Sequence, residues 1–271
     1  MSYPYPEKPV DRALDMAVYD ALSHYETAGA EVRRLIEAGG DPNLMIEGGT
    51  SLIWRTVNPL RRSFHNKGLR ALLDDLLENG ANPFLNDHIL DEYLINKEPR
   101  VVLVMLAKMA QLEDAGLQCY RDGDGSNALH ALCATKPIWL SSVLGCCVSG
   151  KSWTSSVNNY KSISLPVQLS QNWISEVRLK DGKTPLHLLL EGEGQRFGVW
   201  RAAQSLLQLG AQVNIKDHAG RSISDLIDCL PVPKITAGER QVLDDLRTDI
   251  QVRALDISTP SPSRIKSAAR L

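Results

Sequence analysis

With 271 residues and 43% hydrophobic content, the chain can bury one or two globular cores or the shared core of a single solenoid. Thirty Lys and Arg against 32 Asp and Glu leave a formal net charge of −2, which argues against nucleic acid as the main partner. The five cysteines (Cys119, Cys133, Cys146, Cys147 and Cys229) are odd in number and sit in apolar runs, so they read as reduced thiols and not as a disulfide framework. The longest apolar run, 101–107, is far short of a bilayer span. MSYPYPEKPVD carries no basic-then-apolar leader, so the expected compartment is cytoplasmic.

In chain order, residues 1–9 are rich in Pro and Tyr and read as an extended lead-in. From 10 to 47, Asp11 is the expected helix cap, Ala13, Leu14, Ala17 and Val18 form one apolar face, and Val32, Leu35 and Ile36 mark a second helix. The segment 48–85 carries a basic stretch, 55–70, with Arg55, Arg61, Arg62, His65, Lys67 and Arg70 around Phe64. It reads either as a solvated loop or as a patch for an acidic partner with Phe64 as apolar anchor. Segment 86–122 is less regular. Its helix over 101–107 is apolar all round, as suits burial between neighbours.

Near Gly123 and Gly125 a new unit starts, with Asn127 capping a helix that carries Leu129, His130 and Leu132; a helix over 137–148 follows. Residues 149–177 then form a Ser- and Asn-rich insertion holding Trp153, Tyr160 and Trp173. Ile163, Leu165, Val167 and Leu169 alternate loosely and would allow a short strand or hairpin. The stretch 181–217 is the most regular. Thr184 is a cap and Pro185 suits the first helical position, while Leu186, Leu189 and Leu190 share a face. A break follows at Gly192, then a helix with Trp200, Ala203, Leu206, Leu207 and Leu209, closed by Gly210 before an extended turn over 213–218. The segment 218–250 has a polar-faced second helix, and 256–271 is Ser- and Pro-rich and expected to be disordered; helix starts are thus expected near Asp11, Thr50, His88, Asn127, Thr184 and Ser222.

Leu14, Leu52, Leu90, Leu129, Leu186 and Ser224 recur at spacings of 38, 38, 39, 57 and 38 residues. The residue that follows each is Asp15, Ile53, Asp91, His130, His187 and Asp225, mostly short and polar. The strings LIEAGGDPN, LLENGANPF and LLQLGAQVN echo one another at the ends of the second helices. With TPLH at 184–187, this pattern resembles the ankyrin-repeat family, although its period exceeds the usual ~33 residues. The resemblance implies an all-α solenoid of about six helix–turn–helix repeats with short β-hairpin loops over 10–255. The insertion at 149–177 would interrupt repeat four.

It also implies a protein-binding module without catalysis, monomeric alone and heteromeric with its partner. The hairpin tips would form the docking face: Asp87 and His88, Arg121 and Asp122, and Lys216, Asp217 and His218. The insertion adds Trp153, Tyr160 and Trp173 as interface anchors, with Asn158 and Asn159 beside them, because aromatic side chains bury much area at low entropic cost. With no other domain evident, the chain is expected to occupy a partner's surface. A bacterial immunity or inhibitor protein that neutralises a toxin or enzyme is the leading expectation, and an effector that binds a host protein is the alternative. A cysteine- or metal-dependent enzyme with its site in the insertion is the third.

Residues that could carry chemistry are few. No phosphate-binding loop, zinc-protease helix or paired-cysteine motif occurs. Gly192, Gly194 and Gly198 follow a helix, not a strand, and read as a helix–helix loop. His130 and His187 occupy the fourth place of NALH and TPLH and are expected to be structural. Cys133 lies one turn from His130 on what should be a packed helix, and vicinal Cys146 and Cys147 lack a third ligand. The expectation is no enzyme activity, no cofactor and no metal.

Overall fold

The structure, a computed structural model, describes residues 8–46, 50–84, 92–157, 160–165, 167–191, 197–229 and 236–258. It is mostly helical. Helix α1 (Pro9–Glu37) leaves helical geometry at His24 and so comprises two helices in one run. After a two-residue ladder of β1 (Met45–Ile46) with β2 (Thr50–Ser51) come α2 (Leu52–Arg62), α3 (Lys67–Glu78), α4 (Glu92–Lys97) and α5 (Pro99–Asp114). Next are α6 (Ala128–Thr135), α7 (Leu140–Ser149), the hairpin β3 (Trp153–Val157) and β4 (Tyr160–Leu165), and α8 (Gln171–Ile174). The chain continues through α9 (Pro185–Leu190), α10 (Phe197–Gln208), α11 (Ile223–Asp228) and α12 (Ala237–Ser258).

Local chemistry explains where these helices begin. Ser51, Asn66, Asn127, Thr184 and Ser222 each accept the N–H three residues on, satisfying a donor that the first turn leaves open. The start expected near His88 lies outside the described residues. Asp11 does not cap α1; Lys8 stands at that place, and the Asp11 carboxylate instead accepts the N–H of Asp41 at 2.9 Å. The phase of the N-terminal units also shifts. Counted from the caps, Val10 and Ile53, and not Leu14 and Leu52, stand where Leu129 and Leu186 stand.

The second helices close alike. The N–H groups of Gly40, Ala81, Leu117, Lys151 and Ala211 donate to the carbonyls of Leu35, Leu76, Leu112, Cys146 and Leu206. First and second helices then stack on their counterparts: α6 on α9 and α9 on α11, α1 on α3, α3 on α5, α7 on α10 and α10 on α12. One buried core runs through the stack, from Leu14 and Leu52 through Leu129, Leu186 and Trp200 to Leu246. Between α7 and α9 the insertion forms a real hairpin, pairing Trp153 with Leu165 and Ser155 with Ile163 before a bulge.

Where turns pass from one helix pair to the next, neighbouring turns interlock. Gly182 has φ +72°, and a Cβ there would lie 2.6 Å from His218 Cδ2 and 2.9 Å from its backbone nitrogen. Gly220 has φ +78° with nothing within 4 Å. Gly220→Ala is therefore expected to cost about 1–2 kcal/mol from its left-handed backbone alone. Gly182→Ala should cost clearly more, because the turn above it must move. Urea unfolding of both variants checks this; equal losses would show that the turns do not press on each other.

Candidate protein-binding ridge

Three turns, at 121–127, 178–184 and 217–222, are built on one plan. In the first and last an aspartate opens the turn and folds its carboxylate inward. Asp122 accepts from the N–H groups of Asp124 and Ser126 at 2.9 and 2.7 Å, and Asp217 accepts from the Arg221 N–H at 2.9 Å. Backbone bonds close each turn: Asp122 N to Ser126 O, Arg178 N to Lys183 O, and Asp217 N to Arg221 O. The middle turn is one residue longer, so Arg178 replaces the opening aspartate. Asp181 then supplies the carboxylate, gripped by Arg178 at 2.6 Å, and that ion pair holds it well below the usual carboxylate range.

Each turn is tied to the next. His130 and His187 close capping boxes, their Nδ1 atoms accepting from Asn127 N–H and Thr184 N–H at 3.2 Å. With Nδ1 an acceptor, Nε2 carries the proton and donates forward: His130 to Lys183 O at 3.1 Å, His187 to Arg221 O at 3.2 Å. Backbone N–H groups of Lys180 and His218 reach back to the carbonyls of Asp124 and Asp181. At the last cap Asp225 takes the place of histidine and is exposed, with nothing ahead to bridge.

What the turns present outward is short. Leu179 is 77% exposed and Val177 is 41% exposed. Lys180, Lys216, His218 and Arg221 are exposed beside them. Ion pairs lace the ridge: Lys180 with Asp124, Lys183 and Arg221 both with Glu191. Of the residues expected at a docking face, Lys216 and His218 are exposed at the last of these turns. Asp217 is buried and serves its turn, as Asp122 does. Asp87, His88, Asn158 and Asn159 lie outside the described residues, and Tyr160 is described only through its strand pairing with Val157.

Arg121, Trp153 and Trp173 are placed inward. Trp153 and Trp173, expected as interface anchors, are 7% and 0% exposed and pack into the core. The Trp173 indole donates to Glu113 at 2.6 Å, and Arg121 bridges Glu113 and Glu176 at 2.7 and 2.6 Å. Asn127 completes the cluster, donating to Glu176 at 2.6 Å and to the Trp173 carbonyl. Burial works to raise Glu113, but the bonds from Arg121 and Trp173 outweigh it and hold the carboxyl low. Leu179 and Val177, which do face outward, were not among the expected residues. The signal was available: counted back from the caps, Leu179 falls where Asp122 and Asp217 stand, an apolar residue in a polar turn.

Four of the groups considered for chemistry, His130, His187, Cys133 and Cys147, have their titration shifted by burial. Burial pushes His130 down to about 4, and His187 is lowered by the same cause. Burial raises the thiols of Cys133 and Cys147, the latter to about 12, so neither offers a thiolate near neutrality. Among the described residues no cluster of His, Cys, Asp and Glu could hold a metal ion, and no helix is long and apolar enough to cross a membrane.

The two buried histidines set a pH dependence. An unfolded histidine protonates near its ordinary value of 6.5, whereas folded His130 stays neutral down to about 4. Between those values the unfolded chain binds more protons, so the contribution to stability is whole above 6.5 and is lost as the pH falls. The loss at His130 is on the order of 3 kcal/mol. Unfolding free energy measured from pH 7 to 4.5 should fall, and His130→Gln should flatten that slope; an unchanged slope would remove His130 as its source.

No protein-family model matches this sequence, and comparison with curated proteins finds none similar to it.

Proposed function

We propose that the chain is an ankyrin-like solenoid that binds another protein through the turn ridge and acts by occupying that partner's surface. The observation that carries the reading is the exposed Leu179–Val177 pair, held on a backbone fixed by the histidine bridges. A rigid tip loses little entropy on docking, and an apolar centre rimmed by Lys180, Lys216 and His218 has the anatomy of a binding patch. The inward placement of His130, His187, Cys133 and Glu113 supports a stoichiometric role over turnover. Such a role is that of an inhibitor or immunity protein, which neutralises a toxin or enzyme by covering it.

Affinity purification from the native source, followed by mass measurement of the isolated complex, supplies the partner for the test. Leu179→Asp with His218→Ala should weaken binding roughly tenfold or more, as loss of a central apolar anchor does, while leaving the melting temperature in place. Trp153→Ala should do the reverse, lowering the melting temperature and sparing affinity per folded molecule. Undiminished binding by the ridge variant would move the interface elsewhere.

A further inference from the structure

The basic stretch 55–70 folds into a structured cluster at the far end of α2 from its capped turn. Phe64 is 4% exposed, so it is no anchor for a partner. It serves instead as a platform: the guanidinium carbons of Arg70 and Arg100 stand 5.4 and 5.2 Å from its ring centroid, and His65 meets its edge. A guanidinium stacked on a ring is pre-oriented, and its donor fork remains open at the edge for a carboxylate. Arg61 pairs with Glu98 at 3.5 Å. Arg62, His65, Lys67 and Lys97 are exposed around this centre. Among the described residues none of Arg62, Lys67, Arg70, Lys97 and Arg100 forms an ion pair with a carboxylate; Asp74, one turn along α3, feels Arg70 and Lys108 from a distance.

Arg61 and Arg62 close α2 and Lys97 closes α4, where the helix dipole favours a cation, but two charges of the cluster oppose helix preference. Neither α3 nor α5 has an acidic residue in its first turn, where the helix dipole would favour one; Lys67 and Arg100 stand there instead. Lys67 and Arg100 thus place positive charge where their own helix dipoles disfavour it, as a surface kept for an anionic ligand would.

We propose that this cluster is a second docking surface, taking an acidic protein segment. The stacked Arg70 and Arg100 grip its carboxylates, and Arg62, Lys67 and Lys97 draw it in. Charge complementarity selects an anion, and the form of the cluster selects a peptide over a nucleic acid. Its phenyl ring, Phe64, lies beneath the arginines and has no open face on which a base could stack. The cluster is also confined to the ends of α2, α3, α4 and α5, so it is matched to a short anionic segment and not to a long polyanion. This surface is separate from the turn ridge and does not depend on it.

The test titrates a short fluorescein-labelled poly-glutamate peptide into the full chain at low salt, with oligothymidylate of equal charge as competitor. Saturable binding is expected, weakening as salt rises. Arg62→Glu with Lys67→Glu, at exposed positions, should reduce affinity roughly tenfold or more without moving the melting temperature. Arg70→Lys with Arg100→Lys preserves every charge but removes the forks, and should still lose affinity several-fold. No saturable binding, full affinity in either double variant, or tighter binding of the oligothymidylate would each overturn the proposal.

Discussion

The structure depends on hydrogen bonds that link one turn to the next through buried capping residues. Helices α9 and α11 have six residues each, well under the ~12–15 at which an isolated helix becomes even marginal in water. Such helices exist because their open N–H groups are capped and their apolar faces are covered by neighbours. His130 and His187 join both requirements in one side chain. One ring nitrogen closes the cap and the other holds the following turn, so the start of each helix and the spacing between helices are fixed together.

The insertion obeys a different constraint. A hairpin and a single helical turn have too little apolar surface to fold alone, so they are fastened by the charged cluster of Glu113, Arg121 and Glu176, with Trp173 seated above it. Burying charge costs solvation, and the cost is offset only when every partner is in place. Here the carboxylates of Glu113 and Glu176 both receive donors, and the Arg121 guanidinium, whose fork binds both, is held protonated well above its usual range despite its burial. The cluster also joins α5 to the cap of α6, so the insertion is fastened to helices that precede it in the chain.

Two outward surfaces remain once these internal demands are met, and they differ in kind. The turn ridge offers an apolar centre whose surrounding ion pairs are largely satisfied, as with Lys180 on Asp124 and Arg221 on Glu191. At the end of α2 the reverse holds: the apolar group is covered and the cations face outward. A surface of the first type gains mainly by excluding water, and one of the second mainly by long-range attraction that salt weakens.

By itself, the sequence determined the parts that rest on local chemistry. The caps at Asn127, Thr184 and Ser222, the helix starts that follow them and the apolar faces of Leu129 and Leu186 were all legible, because a cap and its helix lie within four residues of each other. In the insertion the alternation allowed a strand or a hairpin without deciding between them; Ile163 and Leu165 fall in β4, Val167 and Leu169 beyond it. Only the tertiary structure decided which way the long-range residues turn. Trp173 and Arg121 read as interface residues until Glu113, 60 positions from Trp173 along the chain, gave the indole a buried acceptor. For the stretch around Phe64 the sequence left a solvated loop and an exposed anchor both open, until Arg70 and Arg100, the latter contributed by α5, stacked on the ring. Leu179 became the exposed centre only because the longer middle turn lifted it over Gly125. Each of these outcomes depends on a partner supplied by another element, and no local pattern records which partner a side chain will meet.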